Sequence, residues 1–203
     1  MLRVHEEVLV KFGLRSGDKV QRDTIDTLQS SEEFILAKHQ ALQILNRRLR
    51  SEKELRDMLR IREFHPHAIN MVVTHLSEMG ILDDEKFAKT FAHYILSRKP
   101  AGKALVQREL MLKGIERTLI DEVLAETFHE QDEEQLALTA AQKALKRYTF
   151  TRHTLDNRAR QQKLSAFLSR RGFSWQTITA TMRKLSGGTS YRSPDSAPFE
   201  SEA

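Results

Sequence analysis

Asp83, Asp84 and Glu85 put three carboxylates side by side within the stretch GILDDEKFAKTFAHYILSR, residues 80–98. Adjacent acids of this kind can hold a divalent cation or share acid/base work. The same residues can also do no more than open a helix. A carboxylate at the N-cap accepts from the free amides of the first turn, and acids in that turn gain roughly 0.3–1 kcal/mol each from the helix dipole. The local pattern favours the helix. Gly80 suits the end of the preceding helix, Asp83 falls at the N-cap, and Leu82 and Phe87 occupy the N′ and N4 positions of a hydrophobic staple. Every residue of LDDEKF then has a structural task.

The remaining chemistry-bearing residues lack the spacing that chemistry needs. None of the eight histidines forms an i, i+4 pair, and there is no HExxH, so helical metal ligation is not expected. His65 and His67 flank Pro66 at a helix start, where capping is the expected role. SRKPAGKAL, residues 97–105, resembles a phosphate loop, but Ser97 stands where its first glycine belongs and Ala104 where it ends in Ser or Thr. No GxSxG, GxGxxG or kinase signature occurs. The methionines and aromatics, Trp175 and Met182 among them, fall on apolar stripes and are expected in cores. No catalytic residue, metal or cofactor is expected, which points to a binding protein rather than an enzyme.

The elements around these residues read as helices. The chain has 203 residues, 39% hydrophobic and 30% charged, with only 8 Gly, 4 Pro and 7% aromatics, a balance that disfavours strands and turns. Cysteine is absent, which excludes disulfides and thiolate chemistry and suits a reducing cytoplasm. The N-terminus MLRVHEEVLV has no signal-peptide core, and no run of about 18 apolar residues occurs, so neither export nor membrane spanning is expected.

Charge is segregated along the chain. The net charge is +5, yet between Lys143 and Lys184 Asp156 is the only acid among eleven bases, whereas Asp121–Glu134 carries seven acids and no Lys or Arg. Such segregation fits an electrostatically addressed partner, either nucleic acid or an acidic protein surface; the plainer alternative is a solvated helix face.

A repeat underlies the hydrophobic pattern. With Phe64, Ile115 and Phe173 as anchors, the offsets −9, −5, 0, +5, +8 and +12 give Leu55, Leu59, Phe64, Ile69, Val72, Leu76; then Val106, Leu110, Ile115, Ile120, Val123, Thr127; then Leu164, Leu168, Phe173, Ile178, Thr181, Leu185. Sixteen of these eighteen positions are apolar and the other two are threonines. Each repeat reads as a helix, a turn at the anchor, and a second helix. Gly114 and Gly172 stand just before two anchors, as left-handed residues closing a helix; Glu63 takes that place in the first repeat. His65-Pro66, Ser174 and a Ser51–Glu54 capping box supply helix starts. A further helix precedes each pair. Its inward residues are Ala37, Ala41, Leu42 and Leu45; then Phe87, Phe91, Tyr94 and Ile95; then Leu136, Ala140, Ala144 and Tyr148. The expected fold is all-α, an elongated tandem array of three three-helix, helix-turn-helix-like repeats. Residues 1–33 form a short N-terminal extension, the repeats span 34–82, 83–130 and 131–185, and 186–203 form a disordered tail.

Three stretches together resemble the RecX family of bacterial recombination regulators: ALQILNRRLRSEKELRDMLR, LSEMGILDDEKFAKTFAHYILSRKPAGKALVQRELMLKGI and LSAFLSRRGFSWQTI. The most specific pieces are the GxLDDxxFA segment at Gly80–Ala88 and the xRRGF segment at Ser169–Phe173, and the resemblance runs from about residue 4 to 185. It implies a non-enzymatic, cytoplasmic inhibitor that binds RecA, the recombinase that forms ATP-dependent filaments on single-stranded DNA. Its expected effect is to lower ATP hydrolysis, strand exchange and repressor co-cleavage, and so to modulate recombination and the SOS response. The expected partner is therefore the RecA filament, met as a monomer and without a membrane. DNA bound directly is the second candidate, through a helix-turn-helix. A scaffold for another acidic protein is the third. The candidate contact residues are Arg47, Arg48 and Arg50 with Arg98, Lys99 and Lys103, in corresponding connections between first and second helices, and Arg152, Arg158, Arg160, Arg170 and Arg171.

Overall fold

The computed structural model describes residues 6–15, 18–130, 132–149 and 157–186. Among these it contains ten α-helices and no strand. They are α1 (Glu6–Phe12), α2 (Arg22–Leu45), α3 (Glu52–Arg60), α4 (Pro66–Glu78), α5 (Asp84–Arg98), α6 (Lys103–Leu112), α7 (Arg117–Glu130), α8 (Glu133–Thr149), α9 (Asn157–Arg170) and α10 (Trp175–Leu185). The helix–turn–helix pairs expected from the repeat are α3–α4, α6–α7 and α9–α10, preceded by α2, α5 and α8. No helix is long and apolar enough to cross a membrane, among the described residues. The expected disordered tail from Gly187 onward lies outside the described residues.

The described residues cluster into two compact units. One gathers those of 1–88 with 113–115, the other those of 89–112 with 116–203. In the first, α2 packs on α3 and α4 around Ala41, Ile44, Leu55, Leu59, Val72 and Leu76. Helix α2 begins at Arg22, well before Phe34, so the extension is itself helical; α1 folds back on it over Val8, Leu28 and Ile35. In the second unit α6 packs on α7, and α8, α9 and α10 pack on one another. The face that α8 gives this core is Ala137, Ala140, Ala141 and Ala144, whose small side chains let Leu164, Leu168, Phe173 and Ile178 seat closely.

The eighteen repeat positions form the cores. All are buried except Phe64 and Leu185, which are partly buried. The two threonines do not break the rule: Thr127 and Thr181 are buried, and the Thr181 hydroxyl donates to the Thr177 carbonyl at 2.8 Å, so burial leaves no orphaned donor there. The stripe of α5 is corrected at one place. Phe87 is buried, but Tyr94 is 52% exposed and stacks on Phe91 with Arg98 over its ring. Tyr148 has no described side chain. Not every aromatic and methionine is in a core either, since Trp175, Met71, Met79 and Met111 are exposed.

The turns at the first and third anchors share one hydrogen-bond geometry, and all three turns hold a residue of positive φ. Phe64 N–H donates to the Leu59 carbonyl and Glu63 N–H to that of Arg60; Phe173 and Gly172 repeat both bonds to Leu168 and Ser169. This is the Schellman closure, and it requires a left-handed residue. Gly114 and Gly172 supply it at φ +80° and +78°, and Glu63 adopts φ +64°. Glycine is needed twice over at the later turns. A Cβ on Gly172 would lie 2.1 Å from the Leu105 nitrogen, and one on Gly114 would lie 2.6 Å from the Lys53 side chain. Glu63 is exposed, so the first repeat bears only the cost of the backbone conformation.

The acidic triplet caps, as its pattern predicts, and goes one step further. Asp83 accepts from Lys86 N–H at 2.9 Å, an N-cap bond. Asp84 instead reaches α3 and accepts from the Glu52 N–H at 2.8 Å, serving a helix start 32 residues away. Burial raises its pKa, partly opposed by that hydrogen bond. The Ser51 box is only half formed: Ser51 accepts from Glu54 N–H at 3.2 Å, while the Glu54 carboxylate goes to the Lys113 ammonium at 2.5 Å.

Replacing Glu63 by Gly should raise stability by about 1 kcal/mol, because it removes the left-handed strain of a residue with a Cβ. Gly172→Ala should cost more than about 2 kcal/mol, adding overpacking to the same strain. Urea midpoints of both variants check the pair, and a destabilised Glu63→Gly would contradict it. Asp83→Ala should cost about 1 kcal/mol as a lost N-cap. Asp84→Asn keeps an acceptor and removes a charge. The folded-state pKa of Asp84 is raised above 3.8, so the stability this group supplies is complete below that value and lost as pH rises through the raised one. Asp84→Asn should therefore gain on wild type over that rise, in melts recorded between acid and neutral pH.

Candidate partner-binding surface

The eleven candidate bases have different surroundings. In the α2–α3 connection Arg47 and Arg48 are exposed. Arg50 is not free, since its Nη1 lies 3.8 Å from Glu54 and its Nε is buried without a hydrogen-bond partner. In the α5–α6 connection Arg98, Lys99 and Lys103 are exposed, with the Arg98 guanidinium 5.7 Å from the Tyr94 ring centre. Arg158 and Arg160 lie in the first turn of α9. Arg170 and Arg171 lie at its other end, Arg171 over the Phe167 ring at 5.6 Å. A helix rise of about 1.5 Å per residue separates those two pairs by roughly 18 Å, so they are two clusters rather than one. Arg152 falls outside the described residues.

Two of the groups are brought together by backbone alone. Gly102 N–H donates to the Arg171 carbonyl at 2.9 Å and Ala104 N–H to the Gly172 carbonyl at 3.1 Å. The approach is close enough that a Cβ on Gly102 would lie 2.3 Å from the Gly172 oxygen. This sets the α5–α6 connection, with Arg98, Lys99 and Lys103, against the turn that carries Arg170 and Arg171. Trp175, 49% exposed, begins the helix that leaves this turn. The groups are joined through backbone amides and carbonyls, at a close approach that Gly102 and Gly172 permit, and the spacing of basic side chains carries no sign of it. Its signal is the Gly at position 102 and the Gly before Phe173.

The same contacts decide the phosphate-loop look-alike. Its Gly102 and Ala104 amides are bonded to the α9–α10 turn, and the Lys103 N–H goes to Glu133 Oε1 at 3.1 Å. Those amides have no capacity left to cradle a phosphate. Four of the seven acids of the acidic segment are likewise engaged within the fold. Asp132 caps α8 through Glu134 N–H at 2.9 Å. Glu133 also accepts from the Thr177 hydroxyl at 3.3 Å, Glu134 pairs with Lys184 at 2.5 Å and Glu126 with Lys89 at 2.9 Å. The hydrogen bond and charge of Glu134 raise the Lys184 pKa. Much of the charge expected to form half of an external pattern is thus used inside the fold. The segment's DEE run, the counterpart of DDE at 83–85, was the available sign of a helix cap.

Comparison with known proteins follows the same three-part division. Sequence models of the RecX first, second and third three-helix domains match residues 37–76, 83–124 and 131–182 in order. The regulatory protein RecX of Bacillus licheniformis is 33% identical over 96% of this chain and 70% of its own length. That of Listeria welshimeri is 29% identical over 87% of this chain, which spans 64% of the Listeria protein. In fold, a crystal structure of regulatory protein RecX superposes with a TM-score of 0.77 at 23% identity, covering 89% of this chain and 88% of that one. These relatives carry the name of a regulator and not of an enzyme. With each of the three domains matched in its place along the helices, the chain belongs to the RecX family.

Proposed function

We propose that this protein binds the RecA filament on single-stranded DNA and inhibits its ATPase, strand-exchange and co-protease activities, acting in the cytoplasm, as a monomer, by binding rather than by catalysis. Membership of the family whose members are named regulatory proteins is the observation that carries this reading. What supports a charge-addressed surface is the residue balance left after internal pairing. Many of the acids of 121–134 are engaged in caps and ion pairs, while Arg47, Arg48, Arg98, Lys99, Lys103, Arg158 and Arg170 stay exposed. Direct binding to bare DNA through α10 has less support. Ile178 and Met182 are buried, as are Thr177 and Thr181, so only Trp175 and Gln176 are fully exposed in the first half of that helix, where base contacts are made.

The measurement is the RecA ATPase rate on single-stranded DNA against inhibitor concentration, at two salt concentrations. Suppression should weaken as salt rises, because Lys and Arg contacts release counterions and exposed charges are screened. Joint charge reversal at Arg98, Lys99, Arg170 and Arg171 should weaken inhibition at least about tenfold, a loss of some 1.4 kcal/mol. Reversal at the exposed Asp121 and Glu122 should change it far less. Tight binding to bare DNA with no effect on RecA would support the helix-turn-helix reading instead.

A further inference from the structure

The same interlock occurs twice in the chain, built from different chemistry. Ser51 and Gly102 are the residues just before α3 and α6, and each lies thirteen positions before its anchor, Phe64 or Ile115. Each donates to the carbonyl two residues before the next anchor: the Ser51 hydroxyl to Lys113 at 2.7 Å, the Gly102 N–H to Arg171 at 2.9 Å. At the Gly102 joint the bonds run from backbone to backbone, with Ala104 N–H to the Gly172 carbonyl beside them. Glycine meets glycine, and the contact distances leave no space for a side chain.

At the Ser51 joint the contacts are made by side chains. The hydroxyl of Ser51 both donates to Lys113 and accepts from Glu54 N–H. The Glu54 carboxylate pairs with the Lys113 ammonium at 2.5 Å, and Arg50 approaches it at 3.8 Å. Burial alone would raise the Glu54 pKa, but Lys113, with Arg50 and Arg48, holds it below the usual value. The Lys53 stem, not backbone, lies against Gly114. Side-chain exposures of 19% for Glu54 and 30% for Lys113 leave this pair open to ions. Backbone bonds between closely packed glycines have no comparable sensitivity.

We propose that the Ser51–Glu54–Lys113 joint is an ionic latch that releases the Lys113–Ile115 turn from the start of α3 when charge is screened or competed for, while the Gly102–Gly172 joint stays closed. The chain thus has one yielding joint and one fixed joint, at equivalent positions of its repeat. This does not depend on which partner the protein binds.

Hydrogen–deuterium exchange of the full chain tests it, at about 0.05 M and about 1 M salt, where the screening length falls from more than 10 Å to roughly 3 Å. Peptides covering 52–56 and 113–116 should exchange about fivefold faster at the higher salt, and those covering 104–106 and 171–174, clear of the Lys103 amide that Glu133 caps, should not change. Glu54→Gln and Lys113→Met should each produce the faster exchange at low salt and remove the further effect of salt. Lys113→Arg, which keeps the charge, should restore the wild-type response. Equal loosening of both joints, no salt response at the Ser51 joint, or a salt response that survives in Lys113→Met would each overturn the proposal.

Discussion

The constraint on which most of this structure depends is the left-handed residue that closes the middle helix of each repeat. In the first and third repeats it lets the last carbonyls of that helix be satisfied by the turn itself, and in all three the anchor side chain is buried or partly buried. The anchor then defines where the following helix begins, through His65 in one repeat and Ser174 in another. At two of the three turns that residue must also let a neighbouring segment approach. Backbone conformation and close packing therefore ask for the same amino acid, and both are glycine. At the first turn only the conformation is required, and a glutamate stands there.

Electrostatics in this chain is a matter of what remains after the fold has used its charges. Helix starts consume Asp83, Asp84, Asp132 and Glu133, because free amides at a helix start need acceptors and carboxylates are strong ones. Exposed pairs such as Lys184 with Glu134 add little to stability, being screened and conformationally mobile in water. Some bases are used in the same way, Lys89, Lys113 and Lys184 among them, while Arg47, Arg48, Arg98, Lys99, Lys103, Arg158 and Arg170 stay exposed. A polarity visible along the sequence thus describes the exposed charge only once the paired residues are subtracted.

The family relationship and the physical reading support each other on different ground. Similarity assigns the three domains and their order, and a regulator's name to the relatives. The packing explains why that order tolerates much sequence change: what must be kept is a stripe of apolar positions, a left-handed turn and a capped helix start. Exposed positions carry few such demands.

By itself the sequence determined the helical class, the three repeats and their cores, because these rest on local periodicity. Apolar residues at helical spacing must share a face, and a face of that width must be buried. It also determined most helix starts, since Asp83, His65 and Ser174 act on amides two or three residues away. Tertiary structure decided the contacts that run between distant segments. Asp84 serves a helix 32 residues before it, Glu54 leaves its own capping box for Lys113, and Gly102 finds Arg171. None of these follows from spacing, because the partners are set by which surfaces the buried stripes bring together. The same holds for Tyr94, on a predicted inner face yet exposed, where the helical period was right and the extent of the neighbouring cover decided the outcome.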